Sequence, residues 1–445
     1  MRHAILKWQN GRIKVETTLK RESLTLSEMF EEYKEDGHPL LGDVGHKLNA
    51  TVRLARSNVT MANTLRRAIL SLTPSVAFRT EPAEHSDVVI SVNTTPLPNE
   101  MLAHRIGMIP IRANPVLFNP ELYEFRLDKE NKGTESMDVC ASDIEVWMKD
   151  AANPLEEPKK QETRDFFPPD SVTGDTVLIT RLQPQWNPTA PNQRLAFKAK
   201  ASVSNGTENS RWSPVAACAY GYTRDPSPDH ELAVKKAWLK NTKKIYVTDG
   251  MAREQIMALG DKIIKWEDLD GEKQGALNRE FQTMEVQRCY LMDEKGEPND
   301  FTFVLESVGI QPIPAIVQSG IAACEALVSR YQDLDATVPD NVQIQVADTR
   351  FPAIDIIFQR ESHTLGNLLE TYFVMNHIAG KEEPRLTYAA YKVPHPLKAE
   401  MFVRIGCAGD VEIQKQTARS VISIVCRKLK EEFRALQASW ASVAH

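Results

Sequence analysis

A chain of 445 residues can hold two to four domains with real cores, and 42% hydrophobic with 26% charged residues is an ordinary balance for a globular protein. A formal charge of −6 and a pI near 6.0 argue against a dedicated nucleic-acid binder, which is normally basic. No apolar run reaches 18 residues, and Met1-Arg2-His3 leads into a mixed segment without a signal-peptide core, so neither a membrane span nor a leader is expected.

Residues 1–45 read as an N-terminal extension, with a strand at 14–18, a short helix at 24–33 capped by Thr25 or Ser27, and a polar link at 35–45. Residues 46–112 read as a compact unit. Val52 and Leu54 alternate with Arg53 and Ala55 as in a half-buried strand. The run NVTMANTLRRAILS at 58–71 then places Met61, Leu65, Ala68 and Leu72 on one stripe of a helix, with Asn63, Arg66 and Arg67 on a polar stripe beside it, and Pro74 stops it. Strands at 75–79 and 88–92 and a helix at 101–109 follow. Twelve of the 26 prolines lie between Pro115 and Pro228, so residues 113–300 read as an inserted β-rich domain with strands at 138–148, 176–182 and 195–203. Helices are expected within it at 232–241 and 248–259. Residues 301–335 resume the first unit with the strand FTFVLESVG and a helix opened by Pro312 and Pro314. On that helix Val317, Ile321, Cys324, Val328 and Tyr331 recur on one face. A polar hinge at 332–341 spans at most about 35 Å.

Residues 336–445 read as a second unit. Val342, Ile344 and Val346 alternate, 354–359 is a strand, and the run ESHTLGNLLETYFVMNHI at 361–378 is a helix capped by Ser362 or Thr364. Leu365, Leu368, Leu369, Tyr372 and Phe373 form its stripe, and Gly366 in its first turns points to another backbone passing close by. Strands at 386–393 and 401–407 precede a long C-terminal helix with Ala418, Val421, Ile422, Val425, Leu429, Phe433 and Leu436 on one side. The Thr64-Leu65 and Thr364-Leu365 helices occupy matching places, each after a β-like segment. The chain therefore reads as α+β, with one unit duplicated and the two copies packed helix against helix. The dimerisation core would hold Leu65, Leu72, Val317, Ile321, Val328, Leu365, Leu369, Phe373, Val425 and Leu429.

The chemistry-bearing residues form no catalytic constellation: P-loop, GxGxxG, HExxH and GxSxG are all missing from the sequence. Cysteines 140, 218, 289, 324, 407 and 426 are scattered without a CxxC pair, which reads as reduced, mostly buried thiols and no metal site. The sequons at Asn49, Asn58, Asn93 and Asn205 are then chance matches. Glu84 and Asp87 beside His85 are either metal ligands or solvated loop charges. His104 either serves a buried carbonyl or meets a partner, and His363 with Asn367 is a cap or an interface pair. Pro394-His395-Pro396 fixes an extended turn whose histidine is structural or interfacial. Lys235, Lys236, Lys240, Lys243 and Lys244 around Trp238 offer an alternative reading, a basic patch of a nucleic-acid-binding accessory protein.

The run MANTLRRAIL…EMLAHRIGMIPI, with RWSPVAACAYGY and FVLESVGIQPIPAIVQSGI, resembles the third-largest subunit of eukaryotic RNA polymerase II, its archaeal D counterpart and the bacterial alpha amino-terminal domain. The run ESHTLGNLL…YAAYKVPHPL…VRIG resembles the eleventh subunit of polymerase II or its archaeal L counterpart. The pair on one chain resembles fused platform subunits of large nucleocytoplasmic DNA viruses. The resemblance implies two dimerisation modules sharing a helical core and no catalysis by the chain itself, while the far-apart Cys140, Cys218 and Cys289 support no metal or other cofactor. It implies partner contacts at Asn63, Arg66, Arg67, His104, Arg105 and His395. The implied partners are the largest and second-largest polymerase subunits and small zinc-containing subunits, with DNA and RNA met only through the complex and no membrane. An intracellular place follows, in the host cytoplasm or nucleus or packaged in a virion. The chain departs from the family in lacking the cysteine cluster of its insertion domain.

Overall fold

Apolar stripes at helical spacing and short alternating runs become, in a computed structural model describing residues 5–9, 12–16, 30–36, 48–150, 156–170, 173–185, 191–259 and 264–443, an α+β protein. Nine α-helices form among the described residues: α1 (Val59–Ser71), α2 (Asn99–Gly107), the single turn α3 (Thr163–Phe166), α4 (Pro228–Trp238), α5 (Arg253–Leu259), α6 (Gly271–Glu280), α7 (Ile313–Ser329), α8 (His363–Tyr372) and α9 (Val411–Val443). By compactness the chain divides into a smaller unit of Met1–Thr25, Arg53–Val59 and Tyr220–Thr302, and a larger one of Leu26–Val52, Thr60–Ala219 and Phe303–His445.

The larger unit is organised by four helices. Helix α9, with 33 residues and hence about 50 Å long at 1.5 Å per residue, buries Ala418, Val421, Ile422, Val425, Leu429, Phe433 and Leu436 and packs along α7 and against α8. Helix α7 buries the expected Val317, Ile321, Cys324 and Val328. It approaches α1 so closely that a Cβ on Gly320 would stand 2.6 Å from Ile69 Cγ1. Helices α1 and α8 meet through the hydroxyls of Thr60 and Thr371, 2.9 Å apart. The two motif helices, 300 positions apart in sequence, are therefore neighbours. Beneath α8 lies an antiparallel sheet in the order Val342–Val346, Ile354–Gln359, Glu400–Gly406, Tyr388–Lys392. Ile354, Ile356 and Phe358 face Ile405, Val403 and Met401 across its centre and are buried. The expected alternation of the first strand fades at its end, where Val346 on the sheet edge is 55% exposed.

A second core in this unit lies under the antiparallel sheet Lys159–Gln161, Glu145–Met148, Tyr123–Glu130, Arg194–Ala199, Val88–Asn93. Val76, Phe78, Leu102, Ile106 and Ile111 pack in the same core as Phe125, Leu127, Leu195 and Phe197. The expected strand at 138–148 is broken, because the Asp143 carboxylate accepts the Cys140 N–H at 2.9 Å and closes a turn between Met137–Cys140 and Glu145–Met148. The run at 195–203 also divides: Ser202–Asn205 leaves the sheet and pairs with Pro74–Ala77.

Three further expectations change. The helix at 24–33 is not formed at its end, since Phe30–Asp36 is a strand; residues 24–29 and 37–45 lie outside the described residues. Phe30 is drawn into tertiary contact, its N–H donating to Ser439 Oγ at 2.9 Å and its ring 5.0 Å from that of Trp440. At Gly366 the close neighbour is the ring of Tyr391, which occupies the space a Cβ would need, and not a backbone. The β-rich character of 113–300 ends with the strand Val215–Tyr222, because Pro228 opens a mainly helical stretch with α4, α5 and α6.

In the smaller unit α4, α6 and the segments around them enclose a compact core of Trp238, Leu239, Ile245, Phe281 and Cys289. Ile5–Gln9 and Arg12–Glu16 form a hairpin, close to the strand expected at 14–18. Arg53 grips the buried carboxylate of Asp300 with two hydrogen bonds of 3.1 and 2.8 Å.

The contact at Gly320 gives a direct test. Gly320→Val would force its branched Cβ into Ile69, and overpacking of this kind costs about 1–3 kcal/mol. Urea unfolding of the variant should show a lower midpoint; an unchanged midpoint would place α1 and α7 farther apart.

Candidate partner-binding surface

The polar stripe of α1 forms because Asn63, Arg66 and Arg67 flank the buried Leu65 and Ala68. All three are half-buried. Arg66 Nε–H donates to Asn63 Oδ1 at 3.1 Å, an i, i+3 bridge along the helix. Arg67 Nε–H donates to Thr364 Oγ1 at 2.7 Å, crossing from one motif helix to the other. Arg67, expected to face a partner, is thus bound first to its own chain and aimed by the second half. Beside it the Tyr391 hydroxyl is pushed above its usual range by burial and by Glu370, with Arg67 opposing. His363 Nδ1 lies 3.3 Å from that hydroxyl, so its partner is Tyr391, while Ser362 Oγ caps α8 by accepting the Thr364 N–H. The surface around Arg66 and Arg67 therefore takes residues from both halves.

The remaining expected contacts are dispersed. His104 is exposed and serves no buried carbonyl. Arg105 donates from Nε to Ile179 O at 2.7 Å and from Nη2 to Leu178 O at 2.9 Å, fastening α2 to the strand Leu178–Leu182. His395 is exposed, and its Nδ1 accepts the Leu397 N–H at 3.1 Å. Of the core residues, Leu65, Val317, Ile321, Val328, Leu365, Leu369, Phe373, Val425 and Leu429 are buried, and Leu72, just past the end of α1, is half-buried.

Two carboxyl–tyrosine pairs, Glu361 buried and Glu432 half-buried, were not anticipated. Tyr331, at the end of α7, donates its hydroxyl to Glu361 Oε1 at 2.8 Å and accepts from Asn341 Nδ2 at 2.9 Å. Burial pushes the Glu361 carboxyl above its ordinary 4.5, with Tyr331 and Arg330 opposing. Tyr372 of α8 donates to Glu432 of α9, and burial raises the Glu432 carboxyl in the same way. The only sequence signal was a glutamate just before the Ser362 cap.

The basic patch is largely engaged within its own unit. Lys235 Nζ lies 5.1 Å from the Trp266 ring centroid, Lys243 pairs with Glu280 at 2.6 Å, and Lys244 donates to Asn241 O at 2.9 Å. Trp238 is buried, so it presents no face for a stacked base. Asp87 accepts hydrogen bonds from Arg79 N–H at 2.8 Å and Ser202 Oγ at 2.6 Å, a structural role. No group of three or more His, Cys, Asp or Glu side chains among the described residues is placed to hold a metal. Burial pushes the Cys218 thiol up to about 12, and raises Cys324 and Cys426 as well. No helix among the described residues is long and apolar enough to cross a membrane.

Residues 353–439, which include α8 and most of α9, match the RNA polymerase Rpb3/Rpb11 dimerisation domain. Similar curated proteins include the DNA-directed RNA polymerase subunit Rpo3 of Methanopyrus kandleri, 32% identical over 38% of this chain and 54% of that one. The RNA polymerase II subunit RPB3 of Schizosaccharomyces pombe is 24% identical over 64% of this chain and 84% of its own. The RNA polymerases I and III subunit RPAC1 of Homo sapiens is 25% identical over 63% and 80%. The chain spans about half the length of the archaeal relative and of a similar Arabidopsis thaliana subunit, 54% in each case. Over these segments the chain is similar to Rpb3-type RNA polymerase subunits.

Glu361 supplies a pH test. A carboxyl whose folded pKa is raised contributes stability below its unfolded value, and that contribution is lost as pH rises through the folded one. The wild type should therefore lose stability relative to Glu361→Gln as pH rises above 4.5, measured by urea unfolding in steps to pH 7. A difference independent of pH would contradict the raised value.

Proposed function

We propose that this chain is a non-catalytic assembly platform of a DNA-directed RNA polymerase, an intramolecular pseudo-heterodimer on which the two large catalytic subunits associate. The carrying observation is the direct bonding of its two motif helices, Arg67 to Thr364 and Thr60 to Thr371, inside one helical core. Residues 46–112 with 301–335 serve as the first module, 113–300 as its insertion, and 336–445 as the second module. Keeping both modules on one chain fixes their ratio at one to one and raises their effective concentration to about millimolar. That combination supports a viral polymerase of the kind the sequence resembles, working in the host cytoplasm or nucleus or carried in the virion.

In this reading the α1 stripe meets the second-largest subunit through the forked donors of Arg66 and Arg67, which suit carboxylates and backbone carbonyls. Small zinc-containing subunits join the platform, and nucleic acid is met through the complex.

Two variants test the proposal. Arg66→Glu with Arg67→Glu should leave the chain folded, at a cost of about 1 kcal/mol for the lost Thr364 bond, yet abolish co-purification with the large subunits. Retained co-purification would remove the stripe from the interface. Leu369→Asp should undock the halves, since an unpaired buried charge costs several kcal/mol. An unaltered unfolding curve would show that the shared core does not hold them.

A further inference from the structure

The loop between the strands Tyr388–Lys392 and Glu400–Gly406 holds Leu397 at 90% exposure, the highest of the large hydrophobic side chains described. A single exposed leucine needs no explanation by itself. What marks this one is that the loop is built to hold it outward. Pro394 and Pro396 lock their φ angles. His395 Nδ1 accepts the Leu397 N–H and His395 O accepts the Lys398 N–H, each at 3.1 Å. The base is closed by Glu400 N–H to Lys398 O at 2.8 Å and Arg360 N–H to Ala399 O at 2.6 Å. The surrounding charges are biased: Lys392, Lys398 and Arg360 are exposed cations, set against Glu400, whose carboxylate is 3.9 Å from Lys398 Nζ.

We propose that Leu397 is an anchor that enters an apolar pocket with an acidic rim on a large polymerase subunit, and that His395 is the residue that positions it. The inference rests on the platform reading and names a second contact within it. An apolar side chain on a braced loop binds with little loss of conformational freedom, which is how a preorganised anchor becomes a hot spot. The cations around it favour an acidic rim and speed encounter. His395 does this through Nδ1, which must be the unprotonated ring nitrogen, so its role is to hold a turn and not to touch the partner.

The test uses the full chain co-expressed with the two large polymerase subunits, with affinity measured by titration. Leu397→Asp should melt as the wild type does, and weaken binding by about 30-fold or more, the ~2 kcal/mol of a hot spot at 1.4 kcal/mol per tenfold. His395→Ala should weaken binding by a smaller factor. His395→Asn should restore it, because an asparagine Oδ1 accepts the N–H two residues on, as Asn114 does for Val116 at 3.0 Å in this same chain. Wild-type affinity in Leu397→Asp would overturn the anchor while the Arg66 and Arg67 variant still reports on the platform. An Asn variant no better than Ala would overturn the positioning role, and affinity indifferent to salt would overturn the acidic rim. A wild-type chain that captures neither large subunit would overturn the platform and the anchor together.

Discussion

The close approach of α1 to α7 at Gly320, continued by the packing of α7 on α9 and of α8 on both α1 and α9, is the constraint on which the larger unit depends. Each helix carries an apolar stripe that its own small sheet does not fully cover, and burying one Leu- or Val-sized side chain is worth about 1.5–3 kcal/mol. The stripes therefore close on one another. Ile69 can lie against α7 only because position 320 lacks a Cβ. The polar bonds sit at the rim of this core, and their small net energies select register more than they add stability.

The same economy explains the Tyr331–Glu361 and Tyr372–Glu432 pairs. The first links the end of α7 to the start of α8 across the hinge, and the second links the end of α8 to α9 within the second half. A carboxyl removed from water is costly when ionised, and burial raises both glutamates even though Arg330 as well as Tyr331 donates to Glu361. Such groups oppose slipped packings, because any shift of the helices would leave the carboxyl buried without its phenol. With the hinge at 332–341 short, the two halves meet as parts of one molecule.

What could be read from sequence followed the strength of its periodicity. The stripes of α1, α7, α8 and α9 have wide apolar faces repeated over several turns, and each lies where its spacing placed it. Strands were legible where one face is buried, as at 354–359, and less so where a side chain intervenes in the backbone, as Asp143 does after Cys140. The strand at Phe30 was invisible because its cause is the distant Trp440 and Ser439, and a local pattern of FEEYKED suits a helix equally well. At the candidate surface, charge was legible but its use was not. Arg66, Arg67, Arg105 and His395 are all where a partner could meet them, yet the last three have hydrogen bonds to other elements or their own turn. The lysines near Trp238 looked like a stacking platform until the indole proved to be core.

The second half also determines what the first half presents. Arg67 belongs to α1, but its Nε is held by Thr364 and its neighbours are Tyr391 and Glu370, all beyond the hinge. An α1 helix folded without α8 would carry the same residues with an unrestrained guanidinium, and holding it at the moment of binding would cost side-chain entropy of up to about 2 kcal/mol. On the proposed reading, a partner that met Arg66 and Arg67 would bind the docked chain more tightly than the undocked one by whatever part of that entropy the Thr364 bond has already removed. By linkage its binding would strengthen the docking by the same amount. In the proposed reading, platform and partner site would be one equilibrium, set at the seam between α1 and α8.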